Sequence, residues 1–257
     1  MRKLVAVALF ILVTGALAFA IFHQLHAAQR EAAYTPDKLS VLVFSVQVDG
    51  EDSIFLDRLR ADPRSFDFAT AGPSDLSMID LDATHLDGYD VYVVDNYLPP
   101  VPQFEQVLAA VEHGQGLLFR ASVDYGETTE GDSARLAAVE AALPVTLEHE
   151  GMRSEMVPPP AGSTLIPVGI EESSAGHPLV REIGWLSAPS VPLVAVTPLL
   201  DAGAQVFVRE MSTSQRTPIL SLGQVGQGQV MVLSLPVEGE VNEYVRNWPY
   251  FKYLLYL

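Results

Sequence analysis

From residue 4 to residue 22 the chain carries no charge and no proline, a run of 19 residues set behind Arg2 and Lys3. A hydrocarbon core of ~30 Å needs about 20 such residues of helix. The apolar region of a cleavable signal is shorter, roughly 7–15 residues. The pattern therefore predicts one N-terminal transmembrane helix over residues 1–22, with Leu4, Phe10, Leu12, Leu17 and Phe22 among its lipid-buried positions. Cleavage after Ala20, or near His26-Ala27-Ala28, is the rival reading of the same run. The next basic residue is Arg30, so the positive charge lies on the N-terminal side. That bias puts the N-terminus in the cytoplasm and the remainder outside, periplasmic or at the cell surface. Residues 23–37 are polar and Ala-rich and read as a stalk ending at Thr35-Pro36-Asp37.

The pattern changes at residue 38. Leu39 to Val46 is dense in apolar and β-branched residues, the mark of a strand buried on both faces. Ser53 to Arg60 places Ile54, Phe55 and Leu59 at helical spacing, and Pro63 stops it. Phe66 to Ala69 is a short strand, and Leu86 to Asp95 runs from the turn at Asp87-Gly88 into a second buried strand. Pro102 to His113 brings Phe104, Val107, Leu108 and Val111 to one helix face, with Pro102 suited to the first turn and Gly114 to the stop. Gln115 to Arg120 is a further strand, and Asp132 to Leu143 a helix closed by Pro144. The order β-α-β-β-α-β-α over residues 39–143 argues for a parallel sheet. With right-handed crossovers it becomes an α/β fold, flavodoxin-like or Rossmann-like, mostly parallel, with helices on both faces. One domain over residues 38–257 is expected.

The second half reads as strands at Val191–Leu199, Gln205–Arg209, Pro218–Leu222 and Gln229–Leu235, with Gly223–Gly228 connecting the last two. Leu179 to Ile183 is a short helical piece, and Val241 to Leu257 a terminal helix interrupted at Pro249.

Composition narrows the partners. Asp and Glu number 32 against 15 Lys and Arg, a net charge of −17. Phosphate binding needs a basic face, so nucleic acid is not expected as a partner of so acidic a chain. The chain has no cysteine, which removes disulfides, thiolate nucleophiles and zinc–thiolate sites together.

The stretch Gly88-Tyr-Asp-Val-Tyr-Val-Val-Asp95, the helix over 104–113, and Glu112-His-Gly-Gln-Gly-Leu-Leu-Phe119 follow one another in a telling order. With His177-Pro178 before a short helix, and the hairpin Pro218–Leu235 led by Val225-Gly-Gln-Gly228, they resemble the class I glutamine amidotransferase-like superfamily. The likeness is to its membrane-associated, non-catalytic relatives and covers roughly 39–122 and 177–240. It implies a Cys on a sharp elbow after the strand at 116–120, where this chain reads Arg120-Ala-Ser-Val-Asp124. It also implies His-Pro-Glu after the strand at 229–234, where this chain reads Ser234-Leu-Pro-Val-Glu238. Leu235 takes the His position and Glu238 is shifted by one residue. Covalent acyl transfer needs both nucleophile and base, so no catalytic residue is assigned and no enzyme activity is expected.

What chemistry remains sits at strand ends. In a doubly wound sheet the carboxyl edge is where ligands bind. Asp49, Asp95, Asn96, Arg120, Ser122 and Asp124 fall there and form the candidate ligand edge. A pocket uniting Asp49, Asp95 and Asp124 would suit a divalent cation and a metal-dependent hydrolase. The spacing matches no metal motif, so neither a metal nor a cofactor is assigned. His177 reads as a loop residue at the start of the short helix. Trp248, Tyr250, Phe251, Tyr253 and Tyr256 put five aromatics in the last ten residues, a candidate interface for a partner subunit or the bilayer. Tyr92, Tyr97, Tyr125 and Trp185 would serve stacking if the domain bound envelope carbohydrate. The leading expectation is a membrane-anchored, non-enzymatic interaction module. Its partners would be lipid through residues 4–22 and other subunits of a membrane complex.

Overall fold

The computed structural model describes residues 38–45, 54–72, 88–95, 97–121, 130–147, 149–150, 153–154, 156–157, 168–171, 176–188, 193–211, 216–235 and 248. The predicted membrane segment, with Leu4, Phe10, Leu12, Leu17 and Phe22, lies outside them. Among the described residues no helix is long and apolar enough to cross a membrane.

The first half follows the expected order: β1 (Leu39–Phe44), α1 (Ile54–Ala61), β2 (Phe66–Ala71), β3 (Val91–Val94), α2 (Val101–Glu112), β4 (Gly116–Arg120) and α3 (Glu130–Glu140). Strands β5 (Val145–Leu147), β6 (His149–Glu150), β7 (Arg153–Ser154), β8 (Met156–Val157) and β9 (Val168–Ile170) come next. The short helix α4 (Pro178–Arg181) and a 3₁₀ turn at Trp185–Ser187 precede β10 (Leu193–Val194), β11 (Val196–Pro198) and β12 (Gln205–Glu210). The hairpin β13 (Pro218–Val225) and β14 (Gly228–Leu233) closes the described order. The expected strand over 191–199 is instead two short strands. They pair away from the main sheet, β10 with β8 and β11 with β5.

Eight strands make the central sheet in the order β2-β1-β3-β4-β14-β13-β12-β9. The five strands from β2 to β14 are mutually parallel, and β13, β12 and β9 continue antiparallel. The result is a mixed α/β fold with a mostly parallel central sheet and few helices. All these elements belong to one compact unit, Leu39–Leu257.

Period-two alternation divides the core. Val41, Val43, Val91, Val93, Leu118, Met231 and Leu233 join Leu56 and Leu59 of α1, Leu179 and Val180 of α4, and Trp185. The alternate residues Leu42, Phe44, Tyr92, Val94, Leu117, Phe119, Val230 and Val232 join Phe104, Val107 and Val111 of α2 and Leu136 and Val139 of α3. Both sheet faces are therefore covered, as the unbroken apolar runs required.

The connection read as Gly223–Gly228 is tighter in the structure. β13 and β14 extend until Val225 pairs with Gly228, leaving a two-residue turn, Gly226-Gln227. Gly226 has φ +59°, the first central position at which a II′ turn wants glycine. The turn presses on the end of α2, where Gln227 N–H donates to Glu112 O at 3.0 Å. A Cβ at Gly228 would stand 2.1 Å from Val111 O and 2.2 Å from Gln115 O, both backbone atoms that cannot swing aside. Gly228→Ala is expected to cost ~1–3 kcal/mol by overpacking, read as a lower urea midpoint at unchanged m-value.

Candidate functional site

The carboxyl edge of the parallel strands holds four of the buried polar groups. Phe44 pairs with Val94, Val94 with Phe119, and Arg120 with Leu233, so the strand ends stand in one row. Backbone bonds carry the ladder one residue further. Ser45 N–H donates to Ala71 O (3.0 Å), Asp95 N–H to Phe44 O (3.1 Å) and Ala121 N–H to Leu233 O (2.9 Å). Ser45, Asp95, Arg120 and Ser234 thus end β1, β3, β4 and β14, and all four are buried.

Asp95 and Arg120 meet. By strand alternation both fall on the face of Val93, Leu118 and Leu233. The Arg120 Nε–H donates to Asp95 Oδ1 in a charge-assisted contact between two side chains 2% and 0% exposed. Arg suits such a position because its guanidinium is more weakly hydrated than an ammonium and meets a carboxylate in a fixed geometry. Asp95 Oδ2 is buried with no hydrogen-bond partner among the described residues. Among the described residues this edge therefore carries a buried ion pair and an acceptor, Asp95 Oδ2, with no hydrogen bond.

Of the other edge residues, Asp49, Asn96, Ser122 and Asp124 lie outside the described residues, as do Glu238 and Tyr125. No group of three His, Asp or Glu able to hold a metal occurs among the described residues. Leu235, at the position where the resembling enzymes carry His, is fully buried in the core.

Two expectations about aromatics need correction. Tyr92 and Trp185, considered for stacking on a carbohydrate, are 0% and 1% exposed because each fills one side of the core. Trp248, considered for a partner interface, is 3% exposed. Its ring packs on Trp185 at a centroid distance of 5.4 Å, and its Nε1–H donates to Ser187 Oγ at 3.1 Å. A ring held this way within the chain offers no free surface. Tyr250, Phe251, Tyr253 and Tyr256 lie outside the described residues.

His177 caps α4. Its Nδ1 accepts from Leu179 N–H at 3.3 Å, and its ring stacks on Phe207 at 4.6 Å. Burial lowers its imidazole below the ordinary value of 6.5.

Similarity to known proteins reaches the fold and stops there. No family model matches the chain, and no curated protein does. Two solved structures from Salmonella typhimurium are similar to it. One, described as cytoplasmic protein STM1381 of strain LT2, is 14% identical with a TM-score of 0.61, over 84% of this chain and 96% of that one. The other, described as cytoplasmic protein STM3548, is 17% identical with a TM-score of 0.59, over 85% and 96%. A glutamine amidotransferase from Thermotoga maritima shows a weak likeness, 14% identical with a TM-score of 0.38, over 77% and 76%.

Sequence reasoning picked out Asp95 and Arg120 separately, and the tertiary structure pairs them. It missed Asp90, whose N–H donates to Ser40 O and whose Oδ2 accepts from Ser40 N–H, both at 2.8 Å, tying the starts of β1 and β3 together. The signal was the Asp-Gly-Tyr-Asp turn before β3, read only as a turn.

Proposed function

We propose that this chain is a membrane-anchored, non-enzymatic domain of the amidotransferase-like type. It would face the extracytoplasmic side and serve as an interaction module or accessory subunit of a membrane complex. The strand order β2-β1-β3-β4-β14 agrees with the flavodoxin-like order. The observation that carries the non-enzymatic reading is the buried Arg120–Asp95 pair. It occupies the strand ends where the resembling enzymes begin their nucleophile elbow, in a chain without cysteine. Leu235 adds a core side chain where a base would stand. Asp95, the one described member of the Asp49–Asp95–Asp124 set, already faces a guanidinium, which counts against a cation there. The burial of Tyr92 and Trp185 counts against carbohydrate stacking.

The test is purification of the full-length chain in mild detergent, followed by native mass spectrometry of what accompanies it. A partner set of fixed stoichiometry is expected, with no ammonia released from glutamine. A chain that purifies alone, or that turns over a substrate and loses this on one Ser or Asp substitution, overturns the proposal. Alkaline extraction and protease protection of intact cells test the anchor and its orientation.

A further inference from the structure

We propose that His177 is a pH-sensitive latch: as a neutral cap stacked on Phe207 it holds the segment 176–188 against the sheet, and its protonation releases that segment together with the Trp185–Trp248 contact. The inference stands apart from the proposed function.

The geometry forms a short chain of contacts. His177 sits at the start of α4 with φ −71° and ψ 138°, and its ring nitrogen Nδ1 accepts the Leu179 N–H. An acceptor nitrogen must be unprotonated, so the neutral ring carries its proton on Nε2. Protonating Nδ1 sets an N–H against the Leu179 N–H and takes away its acceptor. One side of the ring lies against Phe207, a core residue with no exposure. Stacking on an aromatic face favours a cation, but burial and the cap both favour the neutral ring.

Among the described residues, the charged groups on the surrounding elements include two ion pairs. On its own helix, Arg181 pairs with Glu182 at 2.8 Å. On the side of β9 and β12, Arg209 pairs with Glu171 at 2.7 Å, and the Glu171 N–H donates to Phe207 O. Glu210 of β12 is buried. Desolvation alone accounts for the lowered pKa of His177.

The latch reaches the tryptophans through Leu179. This residue is capped by His177 through its N–H, and its carbonyl accepts the Trp185 Nε1–H at 2.9 Å. Trp185 in turn packs on Trp248, which bonds Ser187. Loss of the cap therefore loosens one residue that positions both rings.

Linkage sets the pH window. A lowered folded-state pKa means that the unfolded chain binds the proton more readily. The contribution of His177 is complete above about pH 6.5 and is lost as the pH falls through the lower folded-state value.

The chain contains two tryptophans, and both sit at this contact, so their emission reports it directly. The experiment follows emission of the full-length chain in mild detergent from pH 8 to pH 4, with far-ultraviolet circular dichroism in parallel. The expected result is a red shift with its midpoint below 6.5, at unchanged secondary structure. In His177→Asn, which keeps a capping acceptor but does not titrate, the shift is absent. A flat wild-type titration, or the same shift in both proteins, overturns the proposal. Should the variant fail to fold, the carbon-bound imidazole protons of the wild type are followed by nuclear magnetic resonance. No histidine sharing the midpoint of the emission change overturns the latch, and one that shares it supports the latch.

Discussion

Arg120→Met is expected to lower folding stability by about 3–5 kcal/mol, the cost of leaving one partner of a buried ion pair uncompensated. The substitution keeps much of the side-chain volume, so packing contributes little and the loss reports the stranded Asp95 carboxylate. Asp95 is fully buried. Its Oδ2 already lacks a partner among the described residues, and removing Arg120 would strip Oδ1 as well. Asp95→Leu alone should be costly for the converse reason. The double variant Asp95→Leu with Arg120→Met is expected to recover most of the loss, since an apolar pair in place of a buried ion pair is often neutral or stabilising. Urea unfolding of the four proteins closes the cycle. A single-variant loss below ~1 kcal/mol would mean that water reaches the pair, the behaviour of exposed ion pairs. The same result would reopen the carboxyl edge as a ligand site.

Trp185→Ala is expected to cost about 3–5 kcal/mol, the range for truncating a large buried aromatic. The ring is 1% exposed and lies in the cluster that includes Leu179, Ile183, Ala188, Leu235 and Trp248. Two losses add here: the apolar volume, and the Nε1–H bond to Leu179 O. Trp185→Phe separates them. It keeps most of the ring but leaves a carbonyl short of its donor, for roughly 1–3 kcal/mol. Trp248 should become more exposed in the alanine variant than in the phenylalanine one, read by acrylamide quenching of its remaining emission. Equal stability of the alanine variant and the wild type would show that residues 185–188 do not help to close this face of the sheet.

These two sites show where sequence reasoning reached and where it stopped. β1, β3 and β4 were legible because each is a short apolar run buried on both faces, and burial on both faces leaves no polar alternation. Helix α2 was legible from Phe104, Val107 and Val111 at helical spacing, with Pro102 in its first turn. The stretch 191–199 was less so. Its apolar residues satisfy a strand pattern, yet the chain pairs them in two short pieces with β8 and β5, and no local feature names those partners. The turn at Gly226-Gln227 is shorter than the pattern implies, because glycines at 223, 226 and 228 all fit a loop until the register of the hairpin is known.

The sequence by itself determined the alternation of strands and helices over residues 39–143. It also determined the absence of any thiol chemistry and the charged ends of two apolar strands. These are local properties, set by spacing and by residue type. Only the tertiary structure decided that β14 lies beside β4 and that Asp95 and Arg120 neutralise each other. It also decided that Trp248 faces inward onto Trp185 rather than outward to a partner. The reason is physical: strand neighbours and buried charge partners are chosen by long-range burial, which places residues distant in sequence at one point and is not encoded in the spacing of either segment alone.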